Sequence, residues 1–176
     1  MLGLKLMRLI ERHAEELALG LTQKLQATER TSDFRRIPSG ELEVAAAEIY
    51  GNLGEWLLQK TEEDIEARFR AIAARRAAEG IGIHQFVWAL IISRNHLWQF
   101  LQAQAFADSI VALHGELELQ QMLNQFFDRA LYYGVLEYAE RADEGRRKNN
   151  LMVGKSNSHK MAYRVATEAK TTTETA

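Results

Sequence analysis

Residues 2–26, at the start of the chain, have the sequence LGLKLMRLIERHAEELALGLTQKLQ. Its apolar residues recur at steps of three and four, which places them along one face of a helix. These residues are Leu6, Ile10, Ala14, Leu17, Leu21 and Leu25. The stretch therefore predicts one amphipathic helix from about Leu2 to Gln26.

The same spacing recurs in a second, a third and a fourth segment. The second is predicted to begin at Ser39 and to end near Leu57, and the capping-box pattern Thr61–Asp64 opens the third. Gly80 suits a left-handed C-cap after the third helix, because it lacks a Cβ. The fourth segment begins near Ile83 and is apolar over a wide arc, which predicts the most buried helix.

The C-terminal part predicts a short helix capped by Asp108 and broken at His114–Gly115, followed by one long helix. That helix is expected to fade near residues 141–148, because residues 149–176 are polar and have little apolar surface to bury. The chain contains only one proline and no period-two strand pattern. We therefore predict an all-α fold, globin-like or an up-down bundle of about five main helices, without a sheet. Residues 1–148 are assigned to one helical domain and residues 149–176 to a mobile tail.

Composition argues against several classes of function. The chain has no cysteine, which excludes disulfides, thiol nucleophiles and cysteine-ligated metals. Its net charge is −2, with 22 basic and 24 acidic residues, which does not favour nucleic-acid binding. No uncharged apolar run approaches the ~20 residues that span a bilayer, and the charged N-terminus does not resemble a secretory leader. We expect a cytoplasmic protein without a nucleic-acid partner and without membrane insertion.

The polar residues form no recognisable catalytic or metal motif. None of the five histidines follows a glutamate by three residues, and no two histidines stand four apart, so helical di-iron and zinc motifs are absent. A nucleophile elbow and a P-loop are also absent from the sequence. We therefore predict no enzymatic activity and no required cofactor. The alternative to a cofactor-free protein is haem binding, with His84 or His96 of the apolar fourth helix as the candidate axial ligand.

Arg94 fits its predicted surroundings least well. It lies in line with Leu90 and Leu97, on the face predicted to be buried. A buried guanidinium is costly unless it is paired, so we predict an ion pair with Asp128 or Glu137 on the last helix. The alternatives are an anion-binding or switch site, and a side chain that extends to water.

Apolar residues that lie off the core-facing stripes predict a second interface. Leu2 and Leu9 of the first helix are in this position, as are Tyr132 and Leu136 of the last. Phe86 of the fourth helix also lies off its main stripe. Because exposed apolar patches usually mark interaction sites, we predict a homodimer formed through the first and last helices.

Four stretches carry a resemblance to a known family: IERHAEE at 10–16, the helix at 41–57 that ends in Trp-Leu, RRAAEGI at 75–81 and FFDRALYY at 126–133. Together they resemble the N-terminal domain of the RsbRD-type co-antagonists of the RsbT switch kinase. The resemblance extends over roughly residues 4–138.

Domains of this family are helical input modules of bacterial signalling that pair as dimers and pass a change of state along a C-terminal helix. The resemblance therefore implies a non-catalytic sensory and regulatory module of a stress response, acting by contact with a protein partner of a signalling pathway. It supplies no catalytic or cofactor-binding residues. The full-length co-antagonists carry a STAS output domain, and no strand–helix alternation of that kind follows Lys148, so the resemblance implies a separate output protein or a free-standing regulator. A small-molecule or haem-binding globin-like sensor is the alternative.

Overall fold

The computed structural model describes the backbone of residues 2–104 and 110–173, and the side chains of residues 3–103 and 114–148. All regular secondary structure in these ranges is helical, which confirms the predicted all-α class. The elements are α1 (Leu2–Arg12), α2 (Ala14–Ala27), a 3-10 helix (Glu29–Arg36), α3 (Ser39–Gly51), α4 (Leu53–Leu58), α5 (Glu62–Ala78), α6 (Ile83–Gln104) and α7 (Ile110–Thr173).

Two of the predicted helices are each divided in the structure. The first is interrupted at His13, where φ is −102° and ψ is 18°, and the second at Asn52, where φ is −120° and ψ is 26°. The second break exposes the backbone N–H groups at the start of α4, which have no partner within that helix. Gly54 donates its N–H to the Glu11 carboxylate of α1 at 2.7 Å. A contact between distant segments therefore stabilises a break that helical periodicity does not reveal.

Both predicted ends of α5 are confirmed. The Thr61 hydroxyl accepts from the backbone N–H of Asp64, and the Asp64 carboxylate accepts from the backbone N–H of Thr61. Gly80 has a φ of 79°, the left-handed conformation that the C-cap requires. These two signals determine where α5 begins and ends.

The last helix differs most from its prediction. It is continuous through the predicted break at His114–Gly115, and it continues to Thr173, past the predicted end near residues 141–148. Residues 139–148 are exposed and consist mostly of alanine, glutamate and arginine. These residue types form helix readily without burying an apolar face, which explains why the helix continues through residue 148.

The chain forms two compact units, Met1–Tyr138 and Ala139–Ala176. The mobility of residues 149–176 stays a prediction, and so does the assignment of residues 1–148 to one domain. The short helix predicted from Asp108 begins outside the described residues. No described helix is both long enough and apolar enough to cross a membrane.

The hydrophobic core lies in the first unit and includes the whole predicted stripe of residues 2–26. Its largest fully buried side chains include Phe69 of α5, Leu97 of α6 and Phe126 of α7. The core therefore joins helices from both ends of this unit.

The buried face of α6 is rotated relative to the prediction. Phe86 is buried, so its predicted position off the core-facing stripe is wrong, whereas Leu90 and Arg94 are only partly buried. The rotation is fixed by Gln85, a buried residue whose side chain accepts from the backbone N–H of Asp33 at 2.8 Å. The Gln85 amide also donates to the Asp33 carboxylate at 2.7 Å. This paired contact with the 3-10 helix turns the N-terminal half of α6.

Candidate functional site

An apolar cavity of about 110 Å³, which we name the core cavity, lies within the first unit. Protein interiors are close-packed, and voids larger than a water molecule are few in a domain. The cavity is lined by Leu21, Thr22, Leu25, Phe34, Leu42, Ala45, Ala46, Ile49, Tyr50, Phe69, Ile72, Arg76, Phe86, Ala89, Leu90, Ser93, Phe126 and Phe127. Its wall is therefore formed by residues of α2, the 3-10 helix, α3, α5, α6 and α7.

Three hydroxyl groups interrupt the apolar wall of the core cavity: those of Thr22, Tyr50 and Ser93. Within the described part of the chain, the Thr22 and Tyr50 hydroxyls are buried and form no well-aligned hydrogen bond. Ser93 lies beside Tyr50 but donates to the Ala89 carbonyl at 2.8 Å. Burial raises the pKa of Tyr50 far above its ordinary value, and Ser93 opposes this shift only in part. Because a buried unpaired hydroxyl costs roughly 1–3 kcal/mol, both hydroxyls favour a polar group inside the cavity.

Arg76 forms a charged edge of the core cavity. Its side chain is only 6% exposed, and its Nη1 lies 2.9 Å from Oε1 of Glu41 and 2.5 Å from Oε2 of Glu79. Arg75 contacts the same two carboxylates, but its side chain is 58% exposed. The two arginines and two glutamates therefore balance one another, and they connect α5 to the first turn of α3.

The sequence pattern does not single out Arg76, although one signal was available. Arg76 follows Phe69 and Ala73 at steps of seven and three, which places it on the buried stripe of α5. The surrounding letters, RRAAE, have the composition of a solvated helix end. The charged composition therefore favours an exposed position for Arg76, although its spacing from Phe69 and Ala73 favours a buried one.

Arg94 and Asp128 lie together on the surface. Nη1 of Arg94 is 3.3 Å from Oδ1 of Asp128, with side-chain exposures of 31% and 68%. The predicted ion pair with Asp128 is present, but the Arg94 side chain is partly buried rather than fully buried. Glu137, the other predicted partner, instead accepts from Arg70 of α5 at 3.0 Å. A switch role for Arg94 and Asp128 stays a prediction.

The predicted dimer residues differ in exposure. Tyr132 is 64% exposed, whereas Leu9 and Leu136 are partly buried. The side chain of Leu2 lies outside the described residues. Exposure therefore favours Tyr132 most strongly as an interface residue.

Helices α1 and α7 approach each other closely at one point. A Cβ built on Gly3 would lie 3.2 Å from the carbonyl oxygen of Gly115. Leu4 and Leu117, each one or two residues further along, are exposed apolar side chains. The first and last helices therefore have exposed apolar residues close to this approach.

His96 uses both of its ring nitrogens in contacts with α2. Nε2 lies 3.0 Å from the Leu17 carbonyl oxygen, and Nδ1 lies 2.9 Å from Nζ of Lys24. A carbonyl only accepts and an ammonium only donates, so Nε2 carries the proton and the ring is neutral. Burial, and secondly the charge of Lys24, lower the pKa of His96. Neither nitrogen is free to bind iron, and the other candidate ligand, His84, is exposed and lies outside the cavity wall.

The core cavity does not fit a haem. Its lining contains no histidine. Its volume of about 110 Å³ is also below the roughly 150 Å³ that accommodates a single benzene ring, whereas haem is a macrocycle of four rings. Among the described residues, no group of three or more histidines and carboxylates is arranged to hold a metal ion.

A sequence model described as the histidine kinase N terminal family matches residues 6–140. The match covers most of the chain and contains every residue that lines the core cavity. Comparison with curated proteins and with solved structures finds no significant match.

Proposed function

Because this chain belongs to the histidine kinase N-terminal family of bacterial signal-transduction input domains, we propose that it is a non-catalytic sensory module that regulates a protein partner by contact. The observation that carries the proposal is the core cavity, whose apolar wall contains two buried hydroxyls without a well-aligned hydrogen bond. Concave, mostly apolar sites with a few polar groups are typical of small-molecule binding.

The ligand class follows from the chemistry of the cavity wall. Apolar side chains form most of the surface, so the ligand body is apolar. The Thr22 and Tyr50 hydroxyls provide for one hydrogen-bonding group on the ligand. Arg76 does not require an anion, because Glu41 and Glu79 already neutralise it. We infer a small, uncharged, largely apolar molecule.

Ligand-dependent stability tests this proposal, with phenol and benzene as probes. A ligand that binds only the folded state raises the free energy of unfolding by about 1.4 kcal/mol for each tenfold increase above its Kd. We expect this rise in urea denaturation of the wild-type chain, with phenol acting at lower concentrations than benzene.

Two variants serve as controls for that experiment. Ala46→Leu places a larger side chain in the cavity wall and should abolish the ligand dependence. Ala71→Leu makes the same substitution at an exposed position of α5 and should preserve it. No rise in the wild type, or an equal rise in Ala46→Leu, would contradict ligand binding in the core cavity.

We also propose that the module acts as a homodimer through α1 and α7. Exposed apolar side chains on these helices support this arrangement, namely Leu4 on α1 and Leu117, Tyr132 and Val135 on α7. The close approach at Gly3 brings the start of α1 near α7. Burial of such patches commonly stabilises a two-fold pair.

Sedimentation equilibrium tests the dimer. We expect a mass near twice 20.1 kDa for the wild type, and a mass near 20.1 kDa for the Leu117→Asp, Tyr132→Asp double variant. Val44→Asp introduces a charge at another apolar position, which is 72% exposed on α3, and should remain dimeric. A wild-type mass near 20.1 kDa at every concentration would rule out the dimer.

The resemblance to co-antagonists of the RsbT kinase supports a partner in a bacterial stress response. We propose an RsbT-type switch kinase, or a protein bound to it, as that partner. Isothermal titration of the chain with such a kinase, alone and with its known regulators, should show saturable binding. Absence of binding in every combination would contradict this choice of partner.

A further inference from the structure

Phe86 contacts two functional parts of the first unit at once. Its buried ring forms part of the wall of the core cavity. The same ring packs against α7 at Gly134, where a built Cβ would overlap Cε1 of Phe86 and lie 2.8 Å from Cζ. The Phe86 ring therefore occupies space that a side chain at position 134 would otherwise fill. At Gly134, the Phe86 ring lies between the cavity and the backbone of α7.

Tyr138 continues this contact along α7. Its ring centroid lies 5.4 Å from that of Phe86. Its hydroxyl donates to the Ile81 carbonyl at 2.9 Å, in the turn that precedes α6. Tyr138 is therefore held at both ends, and movement of the Phe86 ring must displace either Tyr138 or the α7 backbone.

The small volume of the core cavity favours such movement. Its volume of about 110 Å³ is smaller than the roughly 150 Å³ that holds one benzene ring. A ligand of that size therefore extends through the partly open side of the cavity or presses against its wall. Phe86 is a side chain of the wall whose opposite surface rests on a glycine of α7.

We propose that Phe86 couples the occupancy of the core cavity to α7, because a bound ligand displaces its ring against Gly134 and Tyr138. This proposal rests on the proposed function of the core cavity as a ligand site. Coupling between two sites is reciprocal, so a change at Gly134 must also alter the cavity.

Benzene titration of the full chain, followed by ¹H–¹⁵N NMR spectra, tests whether occupancy of the cavity affects α7. In the wild type we expect amide shifts at the cavity residues Tyr50 and Ser93 and also at Gly134 and Tyr138. In Phe86→Leu at saturation, the cavity shifts should persist, and those at Gly134 and Tyr138 should fall by at least half. Saturated cavity shifts without shifts at Gly134 and Tyr138 in the wild type, or equal shifts there in both proteins, would overturn the coupling.

The reverse effect, of a change at Gly134 on the cavity, can be measured without a ligand. It therefore separates failure of the coupling from failure of the proposed function. Gly134→Ala drives a methyl group into Phe86, whereas Gly145→Ala makes the same change on α7 where nothing lies within 4 Å. We expect Gly134→Ala, and not Gly145→Ala, to shift the amide resonances of Thr22 and Ser93. Unchanged resonances in a folded Gly134→Ala protein would refute the coupling, even if benzene never bound.

A variant that fails to fold is also informative. If Gly134→Ala does not fold, the smaller side chain in the Phe86→Leu, Gly134→Ala double variant should make room for the new methyl group and restore the fold. Failure of this rescue would show that Gly134 is constrained by something other than Phe86, and it would overturn the proposal.

Discussion

Arg76 of α5 donates from Nη1 to Oε1 of Glu41 in the first turn of α3, over 2.9 Å and with its side chain almost completely buried. Arg76 lines one edge of the core cavity. Buried ion pairs contribute little net stability relative to apolar packing, but removal of one partner leaves an unpaired charge and is costly. The contact therefore holds two walls of the cavity in one arrangement.

Arg76→Ala should lower the free energy of unfolding by about 3 kcal/mol, the low end for a broken buried pair, because Glu41 and Glu79 retain some contact with water. Urea denaturation measures the loss. Arg75→Ala is the matched control, since Arg75 contacts the same two carboxylates from an exposed position, and it should cost less than about 1 kcal/mol. Equal losses would show that burial of Arg76 does not matter.

Arg94→Ala should cost less than about 1 kcal/mol, because Asp128 is 68% exposed and Arg94 is 31% exposed, so water screens their attraction. Asp128→Asn should have a similarly small effect. The same denaturation experiment measures both variants. A loss near 3 kcal/mol would mean that Arg94 is buried in solution and that the observed rotation of α6 is incorrect.

Tyr50→Phe should leave the stability of the ligand-free protein unchanged or raise it by about 1 kcal/mol, because it removes a buried hydroxyl that has no well-aligned hydrogen bond. Tyr138→Phe is the control, since it removes a hydrogen bond to the Ile81 carbonyl and should cost about 1 kcal/mol. Thermal or urea unfolding measures the difference. A larger loss for Tyr50→Phe than for Tyr138→Phe would show that the Tyr50 hydroxyl is paired.

The protein should lose stability in alkaline solution as the pH rises from 10 toward 12. Burial raises the pKa of Tyr138 from 10.0 to about 12. The folded state therefore holds this proton more tightly than the unfolded chain, so the stabilisation is complete below pH 10 and is lost as the pH approaches 12. Tyr133 is also shifted to about 12, chiefly by its hydrogen bond to Glu62.

Ultraviolet titration of the tyrosines, combined with denaturation at each pH, tests this behaviour. Tyr138→Phe should show a shallower loss of stability over the same range. If all tyrosines of the folded protein ionised together near pH 10, the environment assigned to Tyr138 and Tyr133 would be incorrect.

The features predictable from sequence are those that depend on local spacing. The apolar stripe of residues 2–26 and the capping box at Thr61–Asp64 need only neighbours within a few positions. The rotation of α6 depends instead on the contact of Gln85 with Asp33, which is 52 positions away.

Long-range contacts also explain why the candidate site is less predictable than the fold. The burial of Arg76 depends on Glu41, which is 35 positions away along the chain. The core cavity lies where side chains from six packed helical elements leave space unfilled. Thr22 and Tyr50 each occupy an ordinary helical position, so no local pattern shows that both hydroxyls lie in one void.

X-ray diffraction from a crystal pressurised with xenon shows whether the core cavity accepts an apolar ligand, because xenon enters apolar cavities and its anomalous scattering locates it. We expect a xenon peak in the core cavity, between Tyr50, Phe86 and Phe126. A core that is filled by its own side chains, or a cavity without xenon while other sites on the protein are occupied, would contradict it.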